Sequence, residues 1–301
     1  MDKSKIPVAL SGVPETLLWT LYYRAQEAAR PDAVLHDPLA VELVRRIDYP
    51  FEERLGRGSR REQWQGLRAR TFDLAVERFL AAHPGGTVVA LGEGLETQFW
   101  RVDDGQVRWL GVDLPEAATT RHQILPGHER HRQIVASALD EAWMDEVEMD
   151  EVDPAAGLMI TAQGLLMYLP REQVHDLITR CAQRFPGAQL LFDGVPRWTS
   201  TVTQKIATQK IATLQVGTEQ GEAQPSPTVR MPPPPMPWPM DHREAAVLRT
   251  LPGVRSVERL HPPRGRGVLY AYALPLADRL PLIRSLVLSV WSVRFRLSGL
   301  D

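Results

Sequence analysis

The chain has 301 residues, and 35 Lys+Arg against 37 Asp+Glu leave a net charge of −2, which argues against a dedicated nucleic-acid binder. A composition 44% hydrophobic and 24% charged is that of an ordinary globular protein, with enough chain to bury a full core. The single Cys181 excludes an intrachain disulfide and a cysteine zinc site, and the start MDKSKIPVALSG lacks the apolar centre of a signal peptide.

No apolar run approaches the ~20 residues of a membrane span, so the sequence reads as a soluble cytoplasmic protein. Leu17, Leu18, Leu21, Tyr22 and Ala25 recur at helical spacing and predict a helix from about Thr16 to Arg30, stopped by Pro31. Asp32 to Pro38 reads as a turn. A second helix is expected over about Glu62–Ala82, with Trp64, Leu67, Phe72, Val76, Phe79 and Leu80 to one side and a break at His83-Pro84-Gly85-Gly86. Residues 1–85 are therefore expected to form a helical cap.

From Thr87 onward short apolar runs alternate with longer mixed segments. Thr87–Leu91, Val107–Val112, Gln133–Ala136, Leu158–Ala162 and Gln189–Phe192 read as buried strands. Between the last two, Val174, Leu177, Ile178, Cys181 and Phe185 form a helical stripe opened by Pro170 and closed by Pro186-Gly187. Strands alternating with helices imply βαβ units and a mostly parallel sheet, an α/β fold with its core over residues 86–198.

Residues 199–240 differ in composition. TQKIA occurs at Thr203 and again at Thr208, and residues 225–239 hold eight of the chain's 25 prolines, which predicts a long Pro-rich loop. That loop is either a disordered insertion or a flap over a pocket; Met231, Met236, Trp238 and Met240 favour the flap. Residues 241–301 are expected to complete the core. Asp241 caps a helix to Thr250, and Val254–Leu260 and Val268–Leu274 form an antiparallel hairpin at the sheet edge. The apolar, Arg-bearing run 281–297 is expected to pack on the body or a partner chain rather than on a membrane surface.

The most informative segment is VVALGEGLETQF, Val88–Phe99. A buried strand enters Gly92-Glu93-Gly94, where glycines permit a sharp turn and let a ligand approach the backbone. Asp113 follows Gly92 by 21 residues, at the end of the next strand, where a carboxylate can accept from both hydroxyls of a ribose. Thr97 stands where a dinucleotide fingerprint has its third glycine, so an adenosyl ligand without phosphates fits better than NAD. No hydrolase serine elbow, HExxH or P-loop occurs. His122, His128 and His131 lack metal-ligand spacing and His175 reads as a surface residue, so no metal is expected.

LGEGLETQFWR resembles the LGAGLDTR-type signature of the leucine carboxyl methyltransferase family, which includes O-methyltransferases of polyketide assembly. Arg24–Ala40, LRARTFD (Leu67–Asp73), VDLPE (Val112–Glu116), QGLLMYLP (Gln163–Pro170) and LLFDGVP (Leu190–Pro196) match it in the same order, over about residues 10–275. The resemblance implies a class I Rossmann-like fold with a seven-stranded, mostly parallel sheet, an antiparallel edge strand and a helical cap. It implies S-adenosylmethionine as cofactor and S-adenosylhomocysteine as product. The Met- and Trp-bearing flap and the first helix with Trp19, Tyr22 and Tyr23 suggest an apolar, aromatic-lined pocket for a small natural-product-like acceptor, methylated on a carboxylate or phenolic oxygen.

By position, Arg68 matches the family arginine on the methionine carboxylate, with Arg70 the alternative register. Gly92 and Gly94 match the glycines under the methionine portion, Asp113 the ribose ligand, Ser137 and Ala138 the adenine contacts, and Gln163 a family Glu near the amino group. Glu96 replaces the usual Asp. Tyr168 matches the pocket tyrosine that orders the acceptor oxygen, or is a core aromatic. Competing readings are a regulatory cofactor-binding protein without turnover, motivated by Gln163 and Glu96, a protein C-terminal carboxyl methyltransferase, and an NAD-dependent oxidoreductase. A monomer and a homodimer are both compatible with the sequence.

Overall fold

The computed structural model describes residues 5–8, 15–56, 60–149, 157–217, 233–279 and 289–297. In chain order the cap contains β1 (Ile6–Pro7), α1 (Thr16–Ala28), α2 (Pro38–Arg46), β2 (Ile47–Asp48), α3 (Phe51–Leu55) and α4 (Arg60–Ala82). Leu18, Leu21, Tyr22 and Ala25 of α1 are buried against Leu43 of α2 and Phe51 of α3. The turn before α2 ends in a cap: Asp37 accepts from the Ala40 amide at 3.0 Å and Pro38 takes the first helical position, where its missing N–H costs nothing.

The core follows as β3 (Thr87–Leu91), α5 (Gln98–Val102), β4 (Arg108–Asp113), α6 (Pro115–Ile124), β5 (His131–Val135), α7 (Ala142–Met149), β6 (Leu158–Ala162), α8 (Arg171–Arg184) and β7 (Gln189–Gly194). It is completed by α9 (Arg197–Gly217), α10 (His242–Leu248), β8 (Val254–Leu260), α11 (Leu274–Arg279) and β9 (Ser289–Phe295). The seven-stranded sheet has the order β5-β4-β3-β6-β7-β9-β8. It is parallel except for β9, which runs antiparallel to both β7 and β8 at the closing edge. The Rossmann-like α/β architecture read from the sequence is thus present. Every residue of β3 and β6 is buried, as central parallel strands covered on both faces require. The stripe of α8 is buried as its spacing predicts.

Three expectations need correction. Val268–Leu274 is not a strand: Leu269–Ala273 is a π-helical turn leading into α11, with Val268 and Tyr272 77% and 67% exposed. The closing strand is Ser289–Phe295, within the apolar run expected only to pack on the body. Inserted between β7 and β8, it buries Val290, Trp291, Val293 and Phe295 and so shows no alternation that would mark a half-exposed strand. Residues 197–217 are helical rather than a loop, because the Pro-free TQKIA repeats are made largely of helix-compatible residues. Thr201 and Thr208 return their hydroxyls to the carbonyls of Arg197 and Gln204.

Met231 and three of the eight prolines of 225–239 lie outside the described residues. Within them, Trp238 is fully buried beside Phe192, donates its indole N–H to Glu244 at 3.1 Å, and bonds through its amide to the Met167 carbonyl. His175 is half-buried and bonds the same Glu244 at 2.6 Å, so it ties α8 to α10 instead of facing water. Among the described residues no helix is long and apolar enough to cross a membrane.

Candidate functional site

The chain leaves β3 to one side to build β4 and β5, then returns to place β6 on its other side. The carboxyl ends of β3 and β6 therefore flank a topological switch point, where open α/β sheets leave a crevice. Gly92 and Gly94 stand at its lip with φ of 60° and 51°, left-handed values that favour glycine. A Cβ at Gly94 would lie 2.4 Å from Leu17 of α1, and one at Gly92 3.0 Å from Leu165. The turn is thus pressed between the cap and the loop after β6. The carboxylate of Glu93, between the glycines, is buried and held by Trp109 Nε1 at 2.9 Å, Arg121 at 3.0 Å and His131 at 3.1 Å. On the other side, the Gly94 amide donates to Asp113 Oδ2 at 2.6 Å and the Leu114 amide to Oδ1 at 2.9 Å. Burial holds the Asp113 carboxyl above its ordinary range, and two amides leave it lone pairs to spare.

A cavity of about 280 Å³ opens at the switch point under α1 and α4. Arg68, one of the α4 residues facing it, donates from Nη1 to Asp193 Oδ2 at 3.0 Å, both groups being buried. Asp193 Oδ1 accepts from the Gly164 amide at 2.6 Å. Gln163 donates to Glu96 Oε2 at 2.7 Å. Among the described residues three buried polar atoms of this wall have no partner, Gln65 Oε1, Arg68 Nε and Gln163 Oε1, while Arg24 Nε, without a hydrogen bond, lies 3.5 Å from Asp37 Oδ2. Native interiors rarely tolerate such orphans, at about 1–3 kcal/mol each, so their convergence marks a surface that a polar ligand completes.

Behind the cavity lies a buried ion network. Arg101 takes both oxygens of Asp73 at 2.8 and 3.0 Å and reaches Asp37 and Glu96, each at 2.9 Å. Arg24 reaches Glu96 at 2.9 Å and Asp37 at 3.5 Å. Three carboxylates thus face two guanidiniums. Burial alone would raise the Glu96 carboxyl, but Arg24 and Arg101 outweigh it and hold it at about 2, against an ordinary 4.5. A depressed carboxylate stabilises the fold fully above its unfolded value and loses that contribution as pH falls through the folded one. Glu96→Gln is therefore expected to lose roughly 3 kcal/mol at neutral pH, with the gap from wild type closing between pH 4.5 and 2 in urea unfolding series.

Of the residues singled out in the sequence, Arg68, Gly92, Gln163 and Tyr168 meet around the cavity. Gly94 and Asp113 adjoin it through their mutual hydrogen bond. Ser137 and Ala138 follow β5 beyond its walls: Ser137 Oγ accepts from the Leu139 amide, and the Ala138 carbonyl from Trp143 Nε1. Arg70 pairs with Glu77 at 2.6 Å on a half-exposed face, which leaves Arg68 as the arginine of this helix turn. Sequence reasoning passed over Asp193, Arg24 and Arg101. An acid at the carboxyl end of LLFDG was the available signal for Asp193. Among the described residues no group of His, Cys, Asp and Glu is arranged to hold a metal ion.

Residues 18–182 match the leucine carboxyl methyltransferase family. The chain is 36% identical over 193 residues to the tetracenomycin polyketide synthesis O-methyltransferase TcmP of Streptomyces glaucescens, covering 64% of this chain and 69% of that protein. It is 32% identical over 198 residues to the S-adenosyl-L-methionine-dependent methyltransferase dpfgK of Gibberella zeae, covering 62% of this chain and 65% of that protein, so it spans slightly under two thirds of that relative. A DUF574 family protein from Streptomyces avermitilis shares the fold, with a TM-score of 0.52 at 14% identity over 92% of this chain and 97% of that one. With more than half its length matched and the glycine turn, Asp113 and the QGLLMYLP loop on one sheet edge, the chain belongs to the leucine carboxyl methyltransferase family.

Proposed function

We propose that the chain is an S-adenosylmethionine-dependent O-methyltransferase acting on a carboxylate or phenolic oxygen of a small, natural-product-like acceptor. The observation that carries this reading is the set of orphaned polar atoms at the switch-point cavity beside the Gly92 turn. They fit an amino-acid moiety. Arg68 Nε is a donor for a carboxylate and Gln163 Oε1 an acceptor for an ammonium, so the Gln in place of Glu keeps the needed oxygen. Three buried carboxylates against two guanidiniums add negative potential behind the site, which favours a ligand of net positive charge. Further along the edge, Asp113 has lone pairs for ribose hydroxyls, and Leu114 and Val135, 55% and 58% exposed, offer apolar surface to a purine.

When bound, S-adenosylmethionine supplies a methyl group activated on a sulfonium. The chain's own part is alignment and exclusion of water, which suffices for in-line displacement by an oxygen that is already anionic. Trp64, Met236 and Val195 line the remainder of the cavity and shield it. Burial pushes the Tyr168 phenol up to about 12, so it keeps its proton at working pH and acts as a hydrogen-bond donor, not as a base. A carboxylate or an acidic phenol suits such a site. Tyr168→Phe is expected to lower turnover about tenfold with an unchanged pH profile, checked by initial rates from pH 6 to 10.

Incubation with methyl-labelled S-adenosylmethionine and a panel of aromatic acids and phenols tests the reading. Label is expected on a small molecule in the filtrate. Label on protein would instead support a C-terminal carboxyl acceptor, and cofactor binding without any methylated product would count against an enzyme.

A further inference from the structure

A second cavity, of about 450 Å³, lies at the opposite end of the sheet, against the amino ends of β6 and β7 and the carboxyl end of β9. Phe79, Leu260, Phe295 and Leu297 give it apolar walls. Arg78 of α4, Arg255 of β8 and Arg294 of β9 stand around it, brought together from three elements far apart in sequence. None of these three makes an ion pair or hydrogen bond among the described residues. Several other arginines do find acids: Arg184 takes Asp145 and Glu148, Arg130 takes Asp103, and Arg132 takes Glu146. The acid on the cavity wall, Glu258, bonds Ser256 instead.

Three guanidiniums against the single carboxylate of Glu258 leave this concavity with a positive potential, and their planar donors match the oxygens of a carboxylate or phosphate. The apolar walls suit a hydrophobic body on the same molecule. We propose that this cavity binds a small organic anion, a carboxylate or phosphate carried on an apolar body, at the end of the sheet remote from the Gly92 turn. The site does not depend on the methyl-transfer reading, although both cavities share α4 and β7: Arg68 and Asp193 face one, Arg78 and Gln189 the other.

The test is calorimetric titration of the full chain with decanoate, decyl phosphate and decanol, for wild type and an Arg78→Gln/Arg255→Gln/Arg294→Gln variant. S-adenosylmethionine titration and thermal melting of both proteins report whether the variant folds. The anions are expected to saturate one site at least about tenfold more tightly than decanol, and the variant to lose at least about tenfold of that affinity while its melting temperature holds. Tighter decyl phosphate identifies a phosphate head group; tighter decanoate, a carboxylate. Equal binding of decanol, equal binding by the variant, no saturable binding, or competition with S-adenosylmethionine for the switch-point cavity would each overturn the proposal.

Discussion

Arg101→Ala is expected to lower the stability of the fold by about 3–5 kcal/mol, the cost of removing one partner from a buried ion cluster. Arg101 comes from α5, a helix of five residues, yet its guanidinium touches Asp73 of α4, Asp37 before α2 and Glu96 after the glycine turn. Thr97 Oγ1 also lies 2.8 Å away. Without it, Arg24 remains against Asp37 and Glu96, while Asp73 is left with the neutral Gln98 Nε2 at 3.1 Å. At this chain length the loss corresponds to a melting temperature lower by about 5–8 °C. The deficit should shrink on acidification, since protonated acids no longer need the arginine. Arg101→Lys should recover only part, because an ammonium cannot span both oxygens of Asp73 while reaching Glu96. A melting temperature within about 2 °C of wild type would mean that the cluster is already solvated.

Arg68→Ala acts on the ligand as well as on the fold, where removing one partner of the buried pair with Asp193 costs about 3–5 kcal/mol. Its Nη1 holds Asp193 and its Nε has no partner among the described residues. Removing the side chain takes away the donor proposed for the methionine carboxylate and leaves Asp193 buried with the Gly164 amide as its remaining donor. S-adenosylmethionine affinity is expected to fall by about 2–4 kcal/mol, roughly 30- to 1000-fold. The rate at saturating cofactor should change little, because Arg68 lies on the binding side of the reaction. Calorimetry with wild type, Arg68→Ala and Arg68→Lys separates the roles. Lysine restores charge without the fork and should recover under half of the lost free energy. Unchanged affinity in Arg68→Ala would make Arg68 only the structural partner of Asp193.

What the sequence disclosed followed the range of its signals. Strands β3 and β6, the α8 stripe and the turn between Gly92 and Gly94 declare themselves in windows of a few residues, because period and glycine conformation are local properties. Asp113 was legible because its distance from the turn reflects one βα unit. Strand β9 was not: enclosed between β7 and β8, it is buried on both faces, so Ser289–Phe295 shows no period-2 pattern. Val268–Leu274 has β-prone letters, but the place expected for it beside β8 is taken by β9, and Leu269–Ala273 forms a π-helical turn instead. The ion network escaped notice for a different reason. Arg24, Asp37, Asp73, Glu96 and Arg101 acquire meaning only once four segments converge, and an isolated Arg or Asp in a helix reads as a solvated face. Asp193 is the same case, since an acid ending a strand becomes informative when Arg68 stands 3.0 Å away.

The carboxyl edge of this sheet carries the residues proposed to hold S-adenosylmethionine. The most direct test of that proposal is calorimetric titration of the purified chain with S-adenosylmethionine and, separately, with NAD, comparing wild type with Asp113→Ala. The expected result is saturable 1:1 binding of S-adenosylmethionine, no binding of NAD, and an affinity loss of about 1–3 kcal/mol in Asp113→Ala, the cost of stranding hydroxyls that had an acceptor. Binding of NAD alone, or of neither ligand by a protein that melts cooperatively, would contradict it.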